Sequence, residues 1–162
     1  MKHWPIWSLA GLTLASYLVL ILILAPQLTA QSQGAPFDLR VLGYGLPEAQ
    51  AYLATLTEAG RALYLGPIRV NDSIFPVLMT LLMLAPLRNG QGARLVRALP
   101  ALAYGLLDLC ENGVVAGILR LTPETLGAGQ VALASALTQG KFLAFALAAV
   151  VALRAVWVNR RA

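Results

Sequence analysis

Apolar residues run from Ile6 to Ala25 without a charged interruption, and a span of roughly 20 such residues crosses about 30 Å of hydrocarbon. Trp4 and Trp7 sit at the start of this run, where interfacial aromatic residues belong, so the pattern predicts a first transmembrane helix over about 6–25. The stretch also has features of a signal peptide, with a basic start and Leu28-Thr29-Ala30 before Gln31. The length of the apolar run favours a span.

Residues 27–45 are rich in Gln, Gly and Pro and read as an irregular loop. Helical spacing begins at Pro47, which suits a first turn, and Leu53, Leu56 and Leu63 supply a partly apolar stripe. A short amphipathic helix lying on the membrane over about 47–64 is predicted. Gly60 and Gly66-Pro67 punctuate the chain, which places a second span at about 67–87, with Asn71 and Asp72 near its start. Arg88-Asn89-Gly90-Gln91-Gly92 reads as a turn, followed by a third span at about 99–119. Thr122-Pro123-Glu124 has the chemistry of a helix start, and a fourth span is predicted at about 134–157, interrupted by Gln139-Gly140-Lys141. The expected fold is all-α: a single membrane domain of four antiparallel transmembrane helices, connected up-down-up-down, with the amphipathic helix in the first extracytoplasmic loop. Alanines 144, 146, 148, 149 and 152 permit close packing of the fourth span.

Composition agrees with lipid as solvent: 59% of residues are hydrophobic, 12% are charged and the mean hydropathy is +0.72. The lone Cys110 can form no intrachain disulfide. Lys2, Arg88, Arg94, Arg97, Arg154, Arg160 and Arg161 fall at the two termini and the second connection, and no acid accompanies them. The positive-inside rule then predicts a multi-pass membrane protein with both termini cytoplasmic and the long first loop outside. A net charge of +5 invites thought of nucleic acid, but charges that flank apolar spans are topology signals, and nucleic-acid binding is not expected.

Ionisable groups inside spans are costly and mark functional sites by default. At about 1.5 Å per residue, Glu111 lies about 21 Å above Arg97, Lys141 about 20 Å above Arg154 and Asp72 about 24 Å above Arg88, so three spans bring charge to one depth. Tyr104, Asp108, Glu111 and Asn112 share one helix face, with the two acids one turn apart. Such a pair suits general acid and base work or a proton site, with Lys141 to compensate its charge. The plainer alternative is a structural ion pair of Lys141 with Glu111. Glu58, Arg61 and Tyr64 form a second cluster at helical spacing, placed to line the mouth of a cavity or to meet lipid phosphate. His3 is an interface residue, and no His or Cys set for haem, disulfide exchange or metal is evident, so no cofactor or metal is expected.

The layout of four spans, an amphipathic stretch in a long first loop, Asp72 followed by Pro76 early in the second span and a third-span acid resembles the EXPERA group of membrane proteins. That group includes the emopamil-binding sterol isomerases and the sigma-2 receptor. The resemblance covers roughly Leu53 to Leu119 by arrangement, and implies a cavity for a sterol-like or amine ligand with Asp72 facing its cationic centre. The chain departs from the isomerase pattern in having no intramembrane His and no Trp near the acids.

The resulting expectation is a small integral membrane protein with an outward-facing intramembrane acid/base site that binds or acts on a lipidic or sterol-like small molecule. In it Glu111 and Asp108 serve as acid and base, Asp72 and Lys141 set their charge, and Asn112 orients the ligand. Tyr104, Arg61, Tyr64 and Glu58 are further binding candidates. The alternatives are a proton- or cation-coupled carrier working as a homodimer, and an accessory subunit of a larger membrane complex.

Overall fold

In the computed structural model, which describes residues 4–89 and 94–161, the helices in chain order are α1 (Ile6–Thr29), a short α2 (Leu46–Thr55), α3 (Glu58–Leu87), α4 (Leu95–Ile118) and α5 (Ala128–Asn159). The described residues contain no strand. The four helices other than α2 are long and apolar enough to cross a membrane, as in a multi-pass membrane protein. Half of the apolar window of α4 is buried, against 11% for α1 and for α5, so α4 is the central helix and its neighbours present apolar flanks outward. Expectations for Lys2, His3 and residues 90–92 lie outside the described residues.

Several predicted boundaries move, each for a local reason. The expected surface helix over 47–64 ends at Thr55, and residues from Glu58 onward belong to α3 rather than to a separate element. The Thr57 hydroxyl caps α3 by accepting from the Gly60 amide at 3.0 Å, and Glu58 adds negative charge at the positive helix end. Gly66-Pro67 does not break the helix as predicted. The wide π turn Tyr64–Ile68 accommodates the proline ring and its missing N–H. A π turn at Leu20–Leu24 precedes Pro26 in α1, which therefore continues to Thr29. Thr122-Pro123-Glu124 forms a turn closed by Thr125 rather than a helix start. The helix begins after Gly127, whose amide donates to Gln130 Oε1 at 3.2 Å.

Polar clips join the long helices at several levels. Asn71 and Ser16 tie α3 to α1 through a side-chain bond of 3.0 Å and a side-chain to backbone bond of 3.1 Å, with the rings of Tyr17 and Phe75 tilted against each other beside them. Thr80 donates to the Ala101 carbonyl at 3.3 Å, and its hydroxyl occupies the space a Cβ on Gly105 would need, so glycine lets α3 and α4 approach closely there. Asn159 of α5 donates to the Pro86 carbonyl at 2.9 Å. The larger apolar core gathers Phe37, Tyr52, Tyr64, Ile118, Leu119 and Val131 at one end of the bundle. Helix α2 is part of that core through buried Ala49, Tyr52 and Leu53, and Gln50 bonds the Pro123 carbonyl at 2.8 Å.

Candidate functional site

Spacing on α4 puts Tyr104, Asp108 and Glu111 on one face, and the structure buries all three, Glu111 completely. Lys141 reaches them from α5: its Nζ lies 3.2 Å from Asp108 Oδ1 and pairs with Glu111 Oε2. Thr138, one turn before Lys141, donates to Glu111 Oε1 and lies 3.0 Å from its own helix carbonyl at Ala134. A single ammonium thus serves two carboxylates. Lysine suits this geometry because its compact charge on a flexible stem can sit between acids one turn apart. Isolated buried charges cost several kcal/mol each, and this mutual pairing is what makes their burial tolerable.

Beside this cluster lies a cavity of about 560 Å³. Apolar side chains such as Tyr17, Phe75, Met79, Phe142 and Phe145 form its walls, and Asp38, Asp72, Tyr104, Asp108 and Lys141 form its polar end. Glu111 does not line it and reaches it only through Lys141. Asp72, near the middle of α3, is held in place by Asn112, whose side chain donates to the Asp72 backbone carbonyl at 2.6 Å. No ion pair to the Asp72 carboxylate exists among the described residues.

Asp38, which lies in the loop over residues 27–45 and was not among the candidates, is brought to the same place by the first loop. Phe37 is fully buried, edge-on to Tyr52 at 4.9 Å and tilted against Tyr44 at 5.1 Å. The Arg40 guanidinium stands 5.4 Å from the ring centres of all three aromatics, and its Nε donates to the Ala35 carbonyl at 2.9 Å. Two bonds fasten the loop to α5: Gln139 to the Leu42 carbonyl and the Tyr44 amide to the Ser135 hydroxyl, each 2.9 Å. Gly43, between them, has φ +86°, and a Cβ there would meet Gln139 Nε2 at 2.5 Å and Ser135 Oγ at 2.9 Å. With the loop so fixed, the Tyr64 hydroxyl donates to Asp38. Burial pushes the phenols of Tyr44 and Tyr52 above the ordinary tyrosine range.

The remaining candidates separate from the cavity. Tyr64 and Asn112 border a small void of about 10 Å³ behind Asp38 and Asp72. Arg61 donates to the carbonyls of Leu119 and Leu121, where it caps the C-terminal end of α4, and Glu58 is exposed at 4.0 Å from it. Neither lines the cavity. Sequence reasoning also passed over Thr138, although its place three residues before Lys141 puts the two on one helix face.

Among the described residues no group of three His, Cys, Asp or Glu side chains is arranged to hold a metal. The chemistry on offer is that of carboxylates, a phenol and one ammonium in the wall of an otherwise apolar chamber. Comparison with known proteins finds no matching family model, no matching curated protein and no matching solved structure, so the site speaks through its own geometry.

Proposed function

We propose that the protein holds a lipidic small molecule within the membrane, its apolar body in the 560 Å³ cavity and a basic polar head at Asp72, Asp38 and Asp108. One observation carries this reading. The polar end of the cavity has three carboxylates and one ammonium, and that ammonium is already engaged by Asp108 and Glu111, so a ligand's cation is the missing partner of Asp72. Such chambers, apolar with a few convergent polar groups, are the usual form of a small-molecule site. Asp72 and Asp108 face the ligand and are the groups that would exchange a proton with it, while Glu111 acts on Asp108 through Lys141. The EXPERA-like layout implies the same ligand class, although among the described residues the cavity wall has no His or Trp for isomerase chemistry.

In this reading the four long helices form an antiparallel up-down-up-down bundle, with both termini cytoplasmic and with α2 and the Asp38 loop at the outer side. The basic residues of the termini and of the connection after α3 support it, as do the paired ends at Asn159 and Pro86. A carrier is the second reading, favoured by the ionisable groups Asp38, Asp72, Asp108 and Lys141 lining one cavity, with Glu111 paired to Lys141 behind it. It predicts pH-dependent flux in liposomes that Glu111→Gln removes.

Binding decides the first reading. Dodecylamine, dodecanol and dodecyl sulfate compete for the protein in lipid nanodiscs, with bound ligand counted by mass spectrometry. The amine should be retained about tenfold over the other two, and Asp72→Asn should abolish that preference. Equal retention of all three heads would remove the reading.

A further inference from the structure

The 560 Å³ cavity shares part of its apolar wall with a neighbouring void. Met79 and Leu82 of α3 line both, and the second, of about 420 Å³, is bordered by Ile6 of α1, Met83 of α3, and Ala149 and Ala152 of α5. Along α5 the lining residues Lys141, Phe145, Ala149, Ala152 and Val156 recur every three or four positions, so a single face of this helix borders both voids. From Phe145 to Val156 this face extends about 17 Å at 1.5 Å per residue. One leaflet of a bilayer core, the depth filled by one extended acyl chain, is about 15 Å.

Polarity changes along the way. The head end holds the carboxylates and Lys141, whereas among the described residues no side chain lining the second void carries a charge or a hydrogen-bonding group other than the thioethers of Met79 and Met83. Even Thr13, on the α1 side of the first cavity, spends its hydroxyl on the Leu9 carbonyl at 2.8 Å. A compact polycyclic ligand would fill the upper void and leave the lower one empty. A long flexible chain fills both once the adaptable Met79 side chain moves aside in the wall that the two voids share. Ala149 and Ala152 keep the lower void open, because a large side chain at either would close it against α3.

Building on the proposed function, we infer that the ligand is a single-chain amphiphile. Its basic head occupies the Asp72 end, and its one unbranched hydrocarbon chain runs along the seam of α1, α3 and α5 toward Val156. Chain length is selected by the lower void, independently of head recognition.

The test uses the full chain in phosphatidylcholine vesicles containing equal amounts of octyl-, dodecyl- and octadecylamine, with amines retained after purification counted by mass spectrometry. Wild type should enrich octadecylamine about tenfold over octylamine. Ala152→Phe should shift retention toward the shorter amines, lowering the octadecylamine share relative to octylamine. Ala146→Phe, the same change at an exposed position of α5, should keep the wild-type distribution. Met83→Trp fills the same void from α3 and decides the matter if Ala152→Phe does not fold. A chain distribution identical in wild type and the void-filling variants, with retention still dependent on Asp72, overturns the chain inference alone. No amine retained by wild type, or retention indifferent to Asp72→Asn, overturns the proposed function as well.

Discussion

The Lys141 ammonium lies 3.2 Å from Asp108 Oδ1 while also pairing with Glu111, so one cation on α5 is shared by two carboxylic groups on α4. Lys141→Met strands both acids in the bundle and should cost about 3–5 kcal/mol, the range for removing one partner of a buried pair. Unfolding in detergent measures this. Adding Glu111→Gln should recover part of the loss. A cost below about 1 kcal/mol would mean that water reaches the acids and that the pair is not structural.

Phe37 anchors the loop that carries Asp38. Phe37→Ala removes a fully buried ring and its contacts with Tyr44, Tyr52 and Arg40, at an expected cost of about 3–5 kcal/mol locally. Amine retention should fall together with protection of residues 37–44 from hydrogen exchange. Unchanged retention would show that Asp38 contributes nothing to the head site.

Gly43→Ala asks an L-residue to adopt φ +86° and places a methyl against Gln139 and Ser135. The expected penalty is about 1–2 kcal/mol. It should appear as roughly tenfold faster exchange of the Tyr44 amide, which is bonded to Ser135, with α3 and α4 unaffected.

Alkaline pH tests the loop from another side. Burial raises the folded-state values of Tyr44 and Tyr52 above the unfolded value of about 10, so the folded form holds these protons longer. Their contribution to stability is fully present below about pH 10 and is lost as pH rises beyond it toward the folded values. Unfolding midpoints should fall above about pH 10, and Tyr44→Phe with Tyr52→Phe should flatten that fall. A wild-type profile flat to about pH 12 would contradict the burial of these phenols.

Orientation is tested by thiol labelling. Leu42 is 95% exposed, so a cysteine there, in a Cys110→Ser background, should react with an impermeant maleimide on intact cells. A cysteine replacing Arg161 should react only after permeabilisation. The reverse pattern would invert the proposed topology.

The four membrane-length helices were legible in the sequence because the cost of exposing backbone and charge to hydrocarbon is paid residue by residue, and continuous apolar runs report it directly. Their ends were less so. Pro67 reads as a break, yet the π turn at Tyr64–Ile68 carries α3 through it, and that turn depends on neighbours that no local pattern reveals. Tyr104, Asp108 and Glu111 were readable as one face because helical periodicity is local. Asp38 was not, since its loop has no period; a lone Phe37 between Pro36 and an acid was the available signal.

The sequence by itself determined the helical class, the number of membrane-length segments and the faces on which charges fall, all consequences of spacing along one chain. Only the tertiary structure decided which carboxylates meet the cavity. It put Glu111 behind Lys141, turned Asp72 and Asp108 toward an apolar chamber, and folded Asp38 in beside them. Those choices follow from how side chains on different helices pack and pair, a property of the assembled bundle that periodicity along any one helix does not contain.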